Sequence, residues 1–349
     1  MLEFYRNKRV FVTGNTGFKG SWLCAVLTMA GADVAGFALP PATRPNLWEL
    51  SGLERKIHSV YGDIRDLGAL WSAFEQADPQ IVVHLAAQPI VREGYRDPVG
   101  TYSTNVMGTV HILECVRRLG TVRSVLNVTT DKVYENRGWP WGYRETDKLH
   151  GFDPYANSKS CSELVTDSYR NSFFSGAQTA ISTARAGNVI GGGDFSPDRI
   201  IPDCVRAVQK DEPIQLRNPN SIRPYQHVLE PLSAYLLIAQ RQYEDIAQAG
   251  SYNVGPKSRD CLTTGELAGL FCKAWDPSAR WEHIGQDGPH EDAVLKLDCA
   301  KIQNALGWSP KWDAERAVRE TVAWTKGWLA GENVLACMER QISAYFNET

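Results

Sequence analysis

The sequence predicts an α/β fold built on a doubly wound parallel sheet, with a smaller mixed lobe towards the C-terminus. Three observations carry this. A β-rich run, Arg9-Val10-Phe11-Val12-Thr13, leads straight into Gly14-Asn15-Thr16-Gly17-Phe18-Lys19-Gly20 and then into a helical stretch. Apolar strand-like runs alternate with helix-period segments over roughly the first 190 residues. Beyond Gly191-Gly192-Gly193 the texture changes to short elements, prolines and loops.

Each element follows from its own pattern. Trp22, Leu23, Val26 and Leu27 form one stripe of a helix over Ser21 to Ala30. Asp33 to Leu39 reads as the second strand, Leu67 to Gln76 as a helix, and Gln80 to Leu85 as a buried strand. A long helix is expected over Tyr102 to Leu119, and a strand over Ser124 to Thr129. A helix from Tyr155 to Phe174 and a strand from Thr179 to Ala186 complete the alternation. This assigns residues 1–190 to a Rossmann-type dinucleotide-binding domain. Residues 191–349 are mainly a substrate lobe, with some segments returning to the main sheet. There Pro197, Pro202, Pro213, Pro219 and Pro224 interrupt the chain. Helices are expected at Glu230 to Tyr243, Thr264 to Trp275 and Ala314 to Leu329. Val334 to Thr349 reads as a surface helix, loosely held at the chain end.

Composition narrows the class. A chain of 349 residues, 43% hydrophobic and 22% charged, is an ordinary globular protein with a substantial core. A formal net charge of −3 gives no sign of a nucleic-acid or anionic-membrane partner. The first residues lack an apolar signal core, and no apolar run approaches the ~20 residues that span a bilayer. A cytoplasmic protein is therefore expected. Eight cysteines lie scattered without a C-x-x-C pair, so they read as reduced thiols, with neither a metal site nor a disulfide framework.

The glycine segment is suited to a dinucleotide pyrophosphate. Gly14, Gly17 and Gly20 let the backbone turn and approach the ligand, and the helix that follows offers its N-terminal N–H groups. The spacing is G-x-x-G-x-x-G. Asp63 and Ile64 suit adenine-edge contacts, the alternative being a plain turn at Gly62-Asp63. The second strand runs through Leu39 into Pro40 with no acid for a ribose 2′-hydroxyl, and Arg44 stands nearby. The residues themselves leave NAD and NADP both open.

Tyr155 and Lys159 are four apart, hence on one helix face. A nearby ammonium favours a phenolate, so Lys159 is expected to lower the Tyr155 pKa from its usual ~10 and make it a base. Thr130, at a strand end, is placed to hydrogen-bond the same substrate hydroxyl, and Asp131 and Lys132 follow it. Tyr and Lys at this spacing also occur on plain surface helices. Following the glycine segment and Thr129-Thr130-Asp131, they read as redox chemistry on a sugar hydroxyl.

These motifs resemble the extended short-chain dehydrogenase/reductase family, and within it the nucleotide-sugar 4,6-dehydratases, most of all the branch acting on CDP-glucose. Besides the glycine segment, the resemblance rests on His84-Leu85-Ala86-Ala87-Gln88-Pro89, Tyr102 to Thr109, Thr130-Asp131-Lys132 and Arg185 to Asp194. Arg217-Asn218-Pro219, Ile222 to Val228 and Leu295 to Asp298 extend it over nearly the whole chain. It implies a tightly bound NAD contacted by Gly14, Thr16, Gly17, Phe18, Gly20, Asp63, Ile64, Leu85, Ala86, Ala87, Gln88, Asn105, Tyr155 and Lys159. It also implies a closed redox cycle: oxidation at sugar C4 with Tyr155 as base, loss of water across C5 and C6 with Asp131 as acid, and return of the hydride to C6. The product belongs to deoxysugar biosynthesis for cell-surface polysaccharide, such as lipopolysaccharide O-antigen.

Lys132 departs from the dTDP-glucose branch, where a glutamate base follows the aspartate. It serves the elimination either as a neutral base or as a charged stabiliser of the enolate. For substrate binding, Arg199, Arg217 and above all Arg223 are candidates for the diphosphate, Asn188 for sugar or phosphate, and His290 for the base or ribose pocket. Trp139, Pro140, Trp141 and Tyr143 form an aromatic loop that either shields the sugar from water or packs the lobes. The two long helices imply a homodimer, or a tetramer built from it. A 4-epimerase or reductase of the same family is the alternative, as are dehydratases for dTDP-, UDP- or GDP-sugars; neither an epimerase nor a reductase needs Asp131-Lys132. A non-catalytic dinucleotide-sensing module needs none of Thr130, Asp131, Tyr155 and Lys159.

Overall fold

In the computed structural model, which describes residues 1–285 and 294–348, seven strands form one parallel sheet. They are β1 (Arg9–Thr13), β2 (Asp33–Ala38), β3 (His58–Tyr61), β4 (Ile81–His84), β5 (Ser124–Val128), β6 (Ala180–Ala186) and the strand Ser251–Val254. Their order is Ser251–Val254, β6, β5, β4, β1, β2, β3. The chain winds outward from β1 to β3, then returns to β4 on the other side of β1. This reversal opens a crevice beyond the carboxyl ends of β1 and β4, the usual ligand position in such sheets. β1, β4, β5 and β6 are almost wholly buried because helices cover both faces. β3 is the exception: an exposed edge strand that no apolar alternation marks.

One core packs Trp22, Leu23 and Leu27 against Leu232, Tyr235 and Leu236, and the other packs Phe11 and Phe74 against Ile112 and Leu113. A third, in the C-terminal half, joins Ile201, Phe271 and Val318. The helices Thr264–Trp275 and Ala314–Leu329 take the expected bounds. Thr263 and Glu266 form a capping box at the start of the first. The expected helix over Tyr102 to Leu119 is divided into Pro98–Tyr102, a π turn at Ser103–Met107, and Gly108–Leu119. The last helix, Val334–Asn347, corrects the expectation of a loosely held end. Val334, Met338, Ile342 and Tyr345 recur at helical spacing and are buried against the first core, so the stripe docks the helix. No helix among the described residues is long and apolar enough to cross a membrane.

Candidate active site

The crevice begins at the glycine segment. Gly14 has φ 76°, and a Cβ there would come within 2.8 Å of the Ala86 nitrogen. A Cβ at Gly20 would lie 2.0 Å from the Gly14 carbonyl oxygen. Only glycine lets this turn close so tightly. Gly17 then caps the helix Phe18–Met29 with no side-chain cap, leaving its positive end for an anion. Thr16 Oγ1 donates to the Leu39 carbonyl at 2.8 Å, tying the turn to the end of β2. The opposite wall is Leu85 to Gln88. Thr13 Oγ1 accepts from the Leu85 and Ala86 nitrogens, each at 3.1 Å, and lies 2.7 Å from His84 Nδ1. Gln88 N donates to Asn105 Oδ1 at 2.8 Å, and Asn105 Nδ2 donates to Ser158 Oγ at 2.8 Å. The π turn thus links this wall to the helix Pro154–Phe173, which carries Tyr155 and Lys159.

This tight cradle and bare helix end fit a dinucleotide. The adenosine end carries no carboxylate at the close of β2, where Leu39 is exposed. Asp63 is held below the usual carboxylate range by the Arg65 guanidinium, which it meets at 2.6 Å. Ile64 is buried against Gly108, where a Cβ would approach its Cγ2 within 2.9 Å.

The reacting end lies beyond β5. Thr130 caps a short turn over Asp131–Val133. Its hydroxyl donates to Asp131 Oδ1 at 3.0 Å and lies near enough to the Tyr155 phenol to favour its ionised form. Asp131 is 2% exposed and its Oδ2 has no partner among the described residues. A Cβ at Gly187 would stand 2.5 Å from Pro224 Cγ and 3.1 Å from Asp131 Oδ2. The missing side chain therefore leaves room for the acid. Burial raises the Asp131 pKa, against the opposing pull of Lys132, Thr130, Arg223 and Lys19. A carboxyl so placed holds its proton more readily than one in water.

Tyr155 differs from the expectation. Burial pushes its phenol up to about 12; the nearby Thr130 hydroxyl and the Arg199 charge work against this. Lys159, also buried, donates from Nζ to the Val128 carbonyl at 3.1 Å. Burial lowers its pKa to about 8, and Glu163 opposes that fall. The cost of desolvating a phenolate outweighs the benefit foreseen from helical spacing alone.

The candidate substrate residues divide. Arg223 is buried, donates to the Ile222 carbonyl at 2.9 Å, and its charge reaches Asp131. Arg199 caps the helix Ile200–Gln209, lies 3.8 Å from Asp194, and its charge reaches Tyr155 and Lys19. Arg217 pairs with Asp198 at 3.6 Å, as Arg92 does at 3.4 Å. Asn188 follows Gly187, and its carbonyl accepts from the Gln226 nitrogen at 3.0 Å. His290 lies outside the described residues. In the aromatic loop, Trp139 stacks on Tyr143, which stacks on Tyr134, while Trp141 stays 61% exposed.

Lys19 had no role in the sequence reading. Its pKa is lowered to about 8 by burial and by the charges of Arg199 and Lys159; Asp131 and Asp194 oppose. It therefore joins the same pocket. The available signal was a cation between the second and third glycines.

The family model for GDP-mannose 4,6 dehydratase matches residues 11–321. The chain belongs to the GDP-mannose 4,6-dehydratase family. The chain is 47% identical to a CDP-glucose 4,6-dehydratase of Salmonella typhimurium, over 99% of this chain and 98% of that protein. The dTDP-glucose 4,6-dehydratase DesIV of Streptomyces venezuelae, solved with NAD and TYD bound, superposes with a TM-score of 0.78. It is 26% identical, and the match covers 93% of this chain and 99% of that one. A UDP-glucose 4-epimerase of Thermotoga maritima, solved with UDP-glucose, shares the fold at a TM-score of 0.80 and 22% identity, over 92% of this chain and 99% of that one. In this chain Asp131 is followed by a half-buried Lys132.

Proposed function

We propose that the protein is a CDP-glucose 4,6-dehydratase that uses NAD and releases CDP-4-dehydro-6-deoxyglucose and water. The observation that carries this is Asp131: a buried carboxyl whose Oδ2 has no partner among the described residues, with the Thr130 hydroxyl on its Oδ1 and the Tyr155 phenol close by. A 4-epimerase or reductase has no use for such an acid. The relative of 47% identity names the nucleotide.

Gly14, Gly17, Gly20, Thr16, Leu85 to Gln88 and Asn105 hold the cofactor, which supplies a hydride acceptor for sugar C4 and a donor for C6. Tyr155 receives the proton of the 4-hydroxyl, with Thr130 close to the phenol oxygen. Lys159 and Arg199 supply positive charge while the phenol oxygen carries negative charge. The C4 ketone then acidifies C5–H. Asp131 gives its proton to the C6 hydroxyl, which leaves as water, while the C5 proton passes to Lys132, or to solvent water with Lys132 stabilising the enolate. A proton returned to C5 completes the turnover, and the net change is loss of one water. Arg223 and Asn188 grip the substrate, and Arg217 stands at its outer end.

We assign the working form to a homodimer. Val99, Tyr102 and Met107, with Leu164 and Phe173, leave apolar side chains exposed along the two long helical stretches. Eight thiols, none bridged, suit a reducing cytoplasm. The activity test supplies CDP-glucose deuterated at C4 together with NAD. The label should reappear in the C6 methyl group. Its loss to water, or formation of CDP-galactose, overturns the reading, and dTDP-, UDP- and GDP-sugars assayed in parallel test the choice of nucleotide.

A further inference from the structure

The sequence reading gave no role to Glu163. It follows Tyr155 and Lys159 on the same helix, each four residues after the last, so all three share one face. Its side chain is almost fully buried. Thr129 donates to Oε1, while Thr183 at 2.7 Å and Arg185 at 2.8 Å donate to Oε2. The Arg185 guanidinium reaches on to the Tyr134 hydroxyl at 2.8 Å, and Tyr134 donates to Asn253 Oδ1 at 2.6 Å. One carboxylate thus ties the Tyr155 helix to the strand end that carries Thr130 and Asp131, and to the strand that leads to Gly187 and Asn188.

We propose that Glu163 is a positioning residue for Lys159: Thr129, Thr183 and Arg185 fix its carboxylate one helical turn from the lysine, whose ammonium is held on the Val128 carbonyl next to Thr129. Lys159 is buried beside other cations. Lys19 from the glycine turn and Arg199 from the second lobe share its pocket, as do neutral His84 on β4 and Asp131 beyond β5. His84 is itself held near 3 by burial and by the Lys159 charge. Against this, Glu163 is the charge that favours the ammonium. Glu163 itself is faced by Arg185 from β6, whose guanidinium also donates to the Tyr134 hydroxyl and to the Glu145 carbonyl. An ammonium stripped of its proton by burial cannot offset the negative charge that forms as Tyr155 draws a proton from the sugar.

This rests on the dehydratase reading, and the test separates the two. Glu163→Gln keeps the shape and an acceptor for Arg185 but removes the charge. The alkaline limb of the kcat profile for CDP-glucose should fall by about 1 pH unit or more. The same limb should move in single-turnover reduction of NAD, which precedes water loss. A purely structural residue would lower the melting temperature and the rate at every pH, leaving the limb in place. Glu163→Asp keeps the charge but draws it back, and should give a smaller shift of the same sign; it serves if the Gln variant does not fold. An unmoved limb in a folded variant overturns the role of Glu163. A wild-type protein inactive on every nucleotide sugar overturns the function instead.

Discussion

One carboxyl group on the Tyr155 helix and one beside it are equally buried: Glu163 and Asp131 are each 2% exposed. Their surroundings differ in the supply of donors. Glu163 receives two hydroxyls and a guanidinium. Asp131 receives one hydroxyl on one oxygen and, among the described residues, nothing on the other. Burial penalises the charged form of both. At Asp131, with a single donor, burial prevails and the pKa rises. One residue is thereby equipped to hold charge in place, the other to give up a proton. Burial alone would not have told them apart.

Removing the proton donor is the sharpest way to break this contrast. Asp131→Asn keeps the size and the Thr130 contact but has no acidic proton. Product formation should fall by about 10²–10⁴-fold. Reduced cofactor should build up, because oxidation at C4 comes first. Rapid-scan absorbance near the nicotinamide band during one turnover checks this. Wild-type turnover would mean that the acid lies elsewhere.

Lys132→Ala should have the next largest effect, about 10²-fold on product formation. It too should form the ketone and stall before water loss. Deuterium exchange at C5 distinguishes its two roles. If Lys132 is the base, the variant stops washing solvent label into C5. If it only steadies the enolate, exchange persists at a lower rate. Unchanged turnover removes it from the mechanism.

Gly187→Ala perturbs the acid without touching it chemically. The new methyl must displace Pro224 or the Asp131 carboxyl, since a Cβ there stands 2.5 Å from one and 3.1 Å from the other. Overpacking of this kind costs about 1–3 kcal/mol. The expected result is a fall of about tenfold in kcat, as geometry is lost, with KM for CDP-glucose nearly constant. A variant with wild-type kcat would show that the acid tolerates displacement.

Local pattern and distant convergence were unequally legible. The turn at Gly14 to Gly20 and the helices over Thr264 to Trp275 and Ala314 to Leu329 are written in nearby residues, so the sequence could be read there. The exposed edge β3 lacks an apolar face and left no such mark. The docked C-terminal helix had its stripe, but terminal position was a poor guide to burial. At the site, Tyr155 and Lys159 were recognisable by spacing. The nearness of Lys19 and Arg199 to Tyr155 and Lys159 was not, because only the folded chain brings segments 1–20, 155–159 and 194–199 together. The effect of burial on Tyr155 was hidden for the same reason: desolvation is a property of the assembled pocket.

A third buried carboxyl, Glu230, tests whether donors and burial combine as argued, and its effect is the smallest. It accepts from Tyr345 at 2.7 Å and from the Lys311 nitrogen at 3.0 Å, as well as from the Trp312 nitrogen, yet burial still prevails and pushes it to about 7. The sign follows from linkage. Between the ordinary glutamate value of ~4.3 and the raised one, the folded protein binds more protons than the unfolded chain. Its contribution is therefore fully present below that window and is lost as pH rises through about 7. The total is at most about 4 kcal/mol, a few degrees in melting temperature. Glu230→Gln should flatten this part of the melting curve against pH. Tyr345→Phe removes a donor to the charged form, so it should steepen the curve, while Asp131→Asn leaves the Glu230 contribution in place. Were Glu230→Gln to keep the wild-type slope between pH 5 and 7.5, three donors would suffice to hold the buried group ionised. Donor count alone would then outweigh burial, whatever the charge of the donors.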